Sequence, residues 1–300
     1  MRRFAWGVTA FTLFVILWGA LVRATGSGAG CGSHWPTCNG EVVPRPETIE
    51  TAIELTHRLT SGVAFLLVVA LTVAAFARRP KGHPMRAPAA LSLLFMITES
   101  AIGAGLVLLE YVAGDRSPAR AVWVAAHLVN TFLLVGSLTL AARAAAPDAP
   151  RLAWRPLGLW VIAALLATLG VATTGAVTAL GDTLFPATSL AEGVAQDLSP
   201  TAHFLIRLRI WHPLAAIGVS VLVTVVAVVV GRRAPRARRL AIALVGLFFL
   251  QVLGGLVNLV LLAPTWMQLV HLLLADLVWI ALVLLGAEAL TPPAPEGERA

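Results

Sequence analysis

Three hundred residues with 58% hydrophobic side chains, 12% charged ones and a mean hydropathy of +0.86 cannot cover a water-facing surface, because soluble domains run at about 25% charged. The same figures exclude a disordered chain, a disulfide-stapled mini-protein and a coiled coil. What remains is a polytopic membrane protein, whose net charge of +7 has to be read by its distribution before it says anything about partners.

A helix crossing the hydrocarbon core needs about 20 mostly apolar residues. In chain order such runs fall near Phe4–Val22, Ala52–Ala77, Ala87–Leu109, Ala121–Ala142, Leu157–Leu180, His203–Val230, Leu240–Ala263 and Met267–Leu290. No segments of about 10 residues alternating in polarity, the mark of an outer-membrane barrel, occur. The expected fold class is therefore all-α, with eight transmembrane helices. The first run follows Met1-Arg2-Arg3 like a signal sequence, but it is long for one, and helix 1 is read as a retained anchor.

Basic residues then set orientation. Arg2 and Arg3, the 2–3 loop (Arg78, Arg79, Lys81, Arg86), the 4–5 loop (Arg143, Arg151, Arg155), the 6–7 loop (Arg232, Arg233, Arg236, Arg238, Arg239) and Arg299 together hold 15 of the 22 Lys and Arg. The opposite side carries most of the acids, among them Glu41, Glu47, Glu50, Asp115, Asp182, Glu192 and Asp197. The positive-inside rule places both termini in the cytoplasm of a bacterial-type cell membrane. The basic excess is thereby a topology signal, and it calls for lipid rather than nucleic acid as partner.

The even helices carry His57, His127, His212 and His271, each some way into its span, so all four fall at a similar depth toward the extracytoplasmic side. His34, His83 and His203 fall in loops or at a boundary. A single intramembrane histidine is readily explained by a hydrogen bond to a neighbouring carbonyl, whereas four at one depth point to function. Paired imidazoles without thiolates or clustered carboxylates suit haem iron better than zinc. With no C-x-x-C-H, attachment would be non-covalent. The expectation is two haem pockets.

The surroundings of these histidines repeat. Glu54-Leu55-Thr56-His57-Arg58 in helix 2 matches Arg209-Ile210-Trp211-His212-Pro213 in helix 6, and Glu99-Ser100-Ala101-Ile102-Gly103 in helix 3 matches Gln251-Val252-Leu253-Gly254-Gly255 in helix 7. The chain thus reads as two pseudo-symmetric four-helix bundles, residues 1–146 and 147–300, of the same orientation and with one His pair each. They are not equivalent. Glu54 stands three residues before His57, on one helical face, where the second half has Arg209. A carboxylate beside one pocket is a candidate proton acceptor, although an ion pair with Arg58 would also account for it. An arginine beside the other suits a haem propionate, as do Arg23 and Arg207. The only cysteines, Cys31 and Cys38, share the loop after helix 1. On an oxidising side they can close as a disulfide, or with His34 form part of a zinc site for which no fourth ligand is evident.

The run Gly19-Ala20-Leu21-Val22-Arg23-Ala24-Thr25-Gly26-Ser27-Gly28-Ala29-Gly30-Cys31-Gly32-Ser33-His34-Trp35-Pro36-Thr37-Cys38-Asn39-Gly40, with Glu54-Leu55-Thr56-His57-Arg58 and the even-helix histidines, resembles the haem A synthases over essentially the whole chain. The resemblance implies an oxidoreductase that converts the C8 methyl of haem O to the formyl of haem A by successive hydroxylations, for cytochrome oxidase assembly. It implies that His57 and His127 hold the substrate haem with Glu54 important for reaction, and that His212 and His271 hold haem b. Haem O synthase would supply the substrate and an unidentified acceptor would take electrons; a homo-oligomer is compatible with this reading. Two departures stand out: Glu99 where a glutamine like Gln251 is expected, read as a packing contact or a second proton site, and Pro213, expected to kink helix 6 near its histidine. The competing class is a dihaem b-type, quinol-linked electron carrier that modifies nothing, since it needs the same four histidines. A transporter with two repeats explains the duplication but not the matched histidines.

Overall fold

The computed structural model describes residues 1–42, 44–146 and 149–292. Arg299 and the expected boundary at residue 147 lie outside the described residues. Among these there are ten α-helices and no strand: α1 (Arg2–Ala24), α2 (Ile49–Arg78), α3 (Arg86–Leu108), α4 (Pro118–Arg143), α5 (Leu157–Leu184), α6 (Leu190–Leu198), α7 (Phe204–Leu208), α8 (Trp211–Arg233), α9 (Arg238–Val260) and α10 (Thr265–Ala289). With α7 and α8 taken as one span, eight are long and apolar enough to cross a membrane. The chain is an all-α, multi-pass membrane protein.

Helix starts carry their own signals. Thr48 caps α2 by accepting from the Thr51 N–H at 3.2 Å, and Ser117 caps α4 by accepting from the Arg120 N–H at 3.1 Å, with Pro118 in the first turn. Within the spans, hydroxyls that would otherwise face hydrocarbon donate to the carbonyl four residues back, as Thr9, Thr72 and Thr168 do.

Two departures from the sequence expectation lie between α5 and α8. The 5–6 loop contains α6, capped by Ser189, with Glu192 reaching back to the Thr188 N–H at 2.8 Å; these contacts with Thr188 hold the Glu192 carboxyl below its usual range. The sixth span is interrupted at Arg209 and Ile210 and restarts at Trp211. Pro213 therefore stands in the first turn of α8, where its missing N–H removes no helical bond, and the expected proline kink is replaced by a break ahead of it.

Three of the five apolar clusters among the described residues hold the long spans together. One joins α1 to α4 through Val8, Val68, Leu71, Leu134 and Leu138; a second joins α5, α8, α9 and α10 through Ala164, Val226, Leu244, Leu282 and Leu285. The third lies where α4 meets α10: Phe132 and Trp279 stack at 5.3 Å, and Trp279 Nε1 donates to the Phe132 carbonyl at 2.6 Å. At the arginine-rich end, Glu288 of α10 pairs with Arg143 of α4 and with Arg236 ahead of α9. Truncating Trp279 to alanine removes a buried aromatic and a satisfied carbonyl contact at once. Trp279→Ala is expected to lower stability by about 3–5 kcal/mol, read as an earlier denaturation midpoint in detergent.

Candidate functional site

The chemistry-bearing residues gather at the end of the bundle away from the arginine-rich loops. The cysteine loop lies directly on the start of α2. A Cβ on Gly30 would stand 2.6 Å from the backbone of Glu50 and Thr51, and Thr51 Oγ1 donates to the Gly30 carbonyl at 2.7 Å, so only glycine permits this approach. Cys31 and Cys38 form a disulfide, both sulfurs buried against Leu55. Of the two cysteine alternatives the structure has the disulfide, with the thiols spent on each other.

Glu54 is buried at 3% exposure and fully engaged. Its Oε2 accepts from the Cys31 N–H at 2.8 Å; its Oε1 accepts from Arg58 Nη2 at 2.5 Å and Nε at 3.1 Å. Arg58 also donates through Nη1 to the carbonyls of His34 and Thr37, both inside the disulfide ring. Glu54 thus pairs with Arg58 and is tied to the cysteine loop one helical turn from His57.

Each histidine of the four lies against a glycine of the preceding span. A Cβ would stand 2.8 Å from His57 Cε1 if placed on Gly19, 2.9 Å from His212 Cε1 on Gly175, 3.0 Å from His271 Cε1 on Gly255 and 3.8 Å from His127 Cε1 on Gly103. Ile49, Pro118 and Thr265 begin α2, α4 and α10, so His57, His127 and His271 lie roughly two turns in, while His212 is the second residue of α8. The His212 and His271 rings are edge-on with centroids 6.4 Å apart. Two imidazoles on one iron, with metal–nitrogen bonds of ~2 Å, would place their centroids about 6 Å apart. The centroid spacing of the second pair is of that size.

Ring partners differ between the pairs. His212 Nδ1 lies 3.0 Å from Thr174 Oγ1 and 3.2 Å from the Val171 carbonyl, leaving Nε2 free. His271 Nε2 lies 3.3 Å from Gln251 Nε2. His127 Nδ1 lies 3.5 Å from Glu99 Oε1, and Glu99 accepts from Asn130 Nδ2 at 2.5 Å and from the Thr131 hydroxyl. The Nδ1 atoms of His57, His127 and His271 are buried without a hydrogen-bond partner among the described residues. A buried ring nitrogen without a partner needs one supplied from outside these residues or by a small shift of a neighbour.

The arginines proposed for propionates are differently disposed. Arg209 is buried, its Nε donating to Asp197 at 2.8 Å, its Nη1 to Asp182 at 3.1 Å and its Nη2 to Gln196 at 3.1 Å. Arg23 donates to the Ala179 carbonyl, Thr183 and Gln268, each at 2.8 Å. Arg207 is exposed. Sequence reasoning missed Gly175, Thr174 and Asp276. Asp276, on α10, is fully buried with neither oxygen hydrogen-bonded among the described residues; a lone carboxyl in an apolar span was a signal available in the sequence.

Fold and site together define a multi-pass α-helical membrane protein with paired intramembrane histidines beside a disulfide-closed loop. Residues 2–283 match the family described as "Cytochrome oxidase assembly protein", and the chain belongs to that family. Among curated relatives, "Protoheme IX farnesyltransferase" of Thermus thermophilus is 50% identical over 291 residues in each of two strains, covering 96% of this chain and 48% of the relative. "Heme A synthase" of Bacillus cereus is 43% identical over 112 residues, 36% of either chain. The chain spans about half the length of the Thermus proteins it matches.

Removing Arg58 would leave Glu54 buried without its cation and free two loop carbonyls. Arg58→Met is expected to destabilise the fold by about 3–5 kcal/mol, the usual effect of breaking a buried pair, with proteolysis of the cysteine loop as a local readout.

Proposed function

We propose that this chain is a haem A synthase: an oxidoreductase that converts the C8 methyl of haem O to a formyl group by successive hydroxylations, in the service of cytochrome oxidase assembly. The observation that carries the reading is the carboxyl of Glu54, held by the Cys31 N–H and Arg58 one turn from His57 in one histidine pair and replaced by Arg209 in the other. This asymmetry sets a carboxyl that could exchange a proton at that position beside only one of the two pairs, a feature that electron transfer alone does not call for. Family membership and the Bacillus relatives named "Heme A synthase" support the same reading.

In this assignment residues 1–146 and 147–300 are repeats, supported by the shared glycine–histidine contacts. His57 and His127 hold the iron of the substrate haem, and His212 and His271 that of haem b. Bound haem supplies the redox chemistry. The residues of the chain bind, orient and move protons: Glu54 takes a proton near the substrate or offsets positive charge developing there, while Arg58 and the disulfide loop hold its carboxyl in place. Arg209, fixed by Asp182 and Asp197, lies at the rim of the haem b pocket. Both termini are cytoplasmic and both pockets lie toward the extracytoplasmic side, as the arginine distribution supports.

The name of the Thermus relatives fits beside this reading. Farnesyl transfer to protohaem yields the farnesylated haem that a haem A synthase consumes, and the match covers only 48% of those proteins. We assign the oxidation to the part shared with this chain and the farnesyl transfer to the remainder. A haem O synthase supplying this chain is the corresponding partner, and an external electron acceptor completes the cycle.

Co-expression with a haem O source, followed by mass analysis of extracted haems, is expected to yield haem A; only unmodified haem would mean an electron carrier. Glu54→Gln, whose single amide oxygen can keep either the Cys31 or the Arg58 contact but not both, is expected to retain both haems but slow oxidation by about 10²–10⁴-fold, accumulating haem O or its hydroxylated intermediate. Normal haem A output from that variant would remove Glu54 from the chemistry. Gly175→Val would push a side chain into His212 and is expected to lose the haem b spectrum while the other haem remains.

A further inference from the structure

We infer that Glu99 is a positioning residue for His127, setting the ring orientation of that ligand and lowering the reduction potential of the iron it holds relative to the iron of the second pair. The inference rests on the haem-binding reading of the histidines but not on the oxidation chemistry.

Three observations carry it. First, the His127 Nδ1 is buried and has no hydrogen-bond partner among the described residues, while Glu99 Oε1 lies 3.5 Å away, at ion-pair distance. A buried donor without an acceptor is unfavourable, and a small ring rotation toward Glu99 satisfies it. Second, Glu99 is held for this purpose from α4 itself. Asn130 Nδ2 donates to Oε2 and the Thr131 hydroxyl to Oε1, and Asn130 is in turn held by Thr98, Oγ1 to Oδ1 at 2.6 Å, and donates to the Phe95 carbonyl at 2.8 Å. These donors and His127 lie on successive turns of one helix, so the carboxyl and the imidazole move together. Third, the second pair lacks the charge. Gln251, like Glu99 four residues before the glycine that faces the histidine, offers His271 a neutral amide, and His212 meets a hydroxyl and a carbonyl.

A carboxylate accepting from the outer nitrogen of an iron-bound imidazole makes the ligand a stronger electron donor and fixes its tautomer and plane. The oxidised iron is stabilised over the reduced one, and the potential falls. The Gln251 amide nitrogen that faces His271 is a donor and accepts nothing from the imidazole, so it gives no such push. The arrangement makes the iron on the Glu54 side the easier of the two to oxidise, giving electrons a direction toward the second haem.

Purified protein loaded with haem b in both sites, titrated by spectroelectrochemistry, tests this. Glu99→Gln is expected to raise the potential of one haem, leave the other in place and shift one of the two low-spin electron-paramagnetic-resonance signals. Unchanged potentials and signals at full haem content would overturn the inference. Should Glu99→Gln fail to accumulate, the Asn130→Ala/Thr131→Val double variant keeps the carboxyl but frees it. Its expected signature is a broadened resonance for the same haem, and an unaltered spectrum would equally overturn the proposal. Unmodified protein that takes up no haem would instead count against the haem reading itself.

Discussion

Four imidazoles on the even-numbered spans of an apolar bundle, each against a glycine of the span before it, are the constraint around which the other contacts are arranged. An aromatic polar ring inside a membrane needs room against the neighbouring helix and a partner for its nitrogens. Gly19, Gly103, Gly175 and Gly255 supply the room, one on each odd-numbered span. Partners come from the same faces: Glu99 and Gln251 lie one helical turn before Gly103 and Gly255, and Thr174 directly precedes Gly175. Trp18, which precedes Gly19, instead donates from Nε1 to the Ile53 carbonyl at 2.9 Å and offers His57 nothing. Three of the four odd spans thus carry a gap and a polar neighbour together, and the first carries the gap alone.

The loops after the first and fifth spans follow a matching logic with the charges exchanged. Three residues before His57 stands Glu54, and three before His212 stands Arg209. Glu54 binds a loop N–H and is neutralised by Arg58, which clamps two further loop carbonyls. Arg209 binds Asp182 at the end of α5 together with Gln196 and Asp197 of α6. In both places a buried charged residue fastens a loop over a histidine, and desolvation is offset by two or more oriented partners. The disulfide is needed on one side only: the loop from Cys31 to Cys38 has no helix of its own, whereas the other loop is stiffened by α6.

The eight spans were legible because hydrophobic length is a strong, local signal, and the histidines because ionisable residues stand out within such spans. Glu54 and the cysteine pair were legible as residues. Their mutual bond was not, since a loop N–H meeting a carboxyl 23 residues away depends on how the loop folds back. For the same reason Arg209 and Arg23 read as free cations; acceptors from α5, α6 and α10 claim them only in three dimensions. The break before Trp211 escaped notice because apolar residues continue through it, and Pro213 drew attention to the wrong side of the interruption. Gly175 was hidden among many small residues of α5, where spacing alone does not show which one faces a ring.

Asp276 and Phe132 show how the repeat diverges where α4 meets α10. Each stands five residues after a histidine, His271 and His127 respectively. Phe132 stacks on Trp279 and accepts from its indole, whereas Asp276, one turn before Trp279, bonds to nothing among the described residues. An unsatisfied buried carboxyl disfavours the fold by about 1–3 kcal/mol, so the contact between α4 and α10 is held by the apolar stack around Asp276 and not by Asp276 itself. Phe132, Val135, Trp279 and Val283 supply that stack, and Gly136 lets the indole approach the α4 backbone, where a Cβ would stand 3.2 Å from Nε1. The aromatic position was free to serve packing because the polar one did not have to.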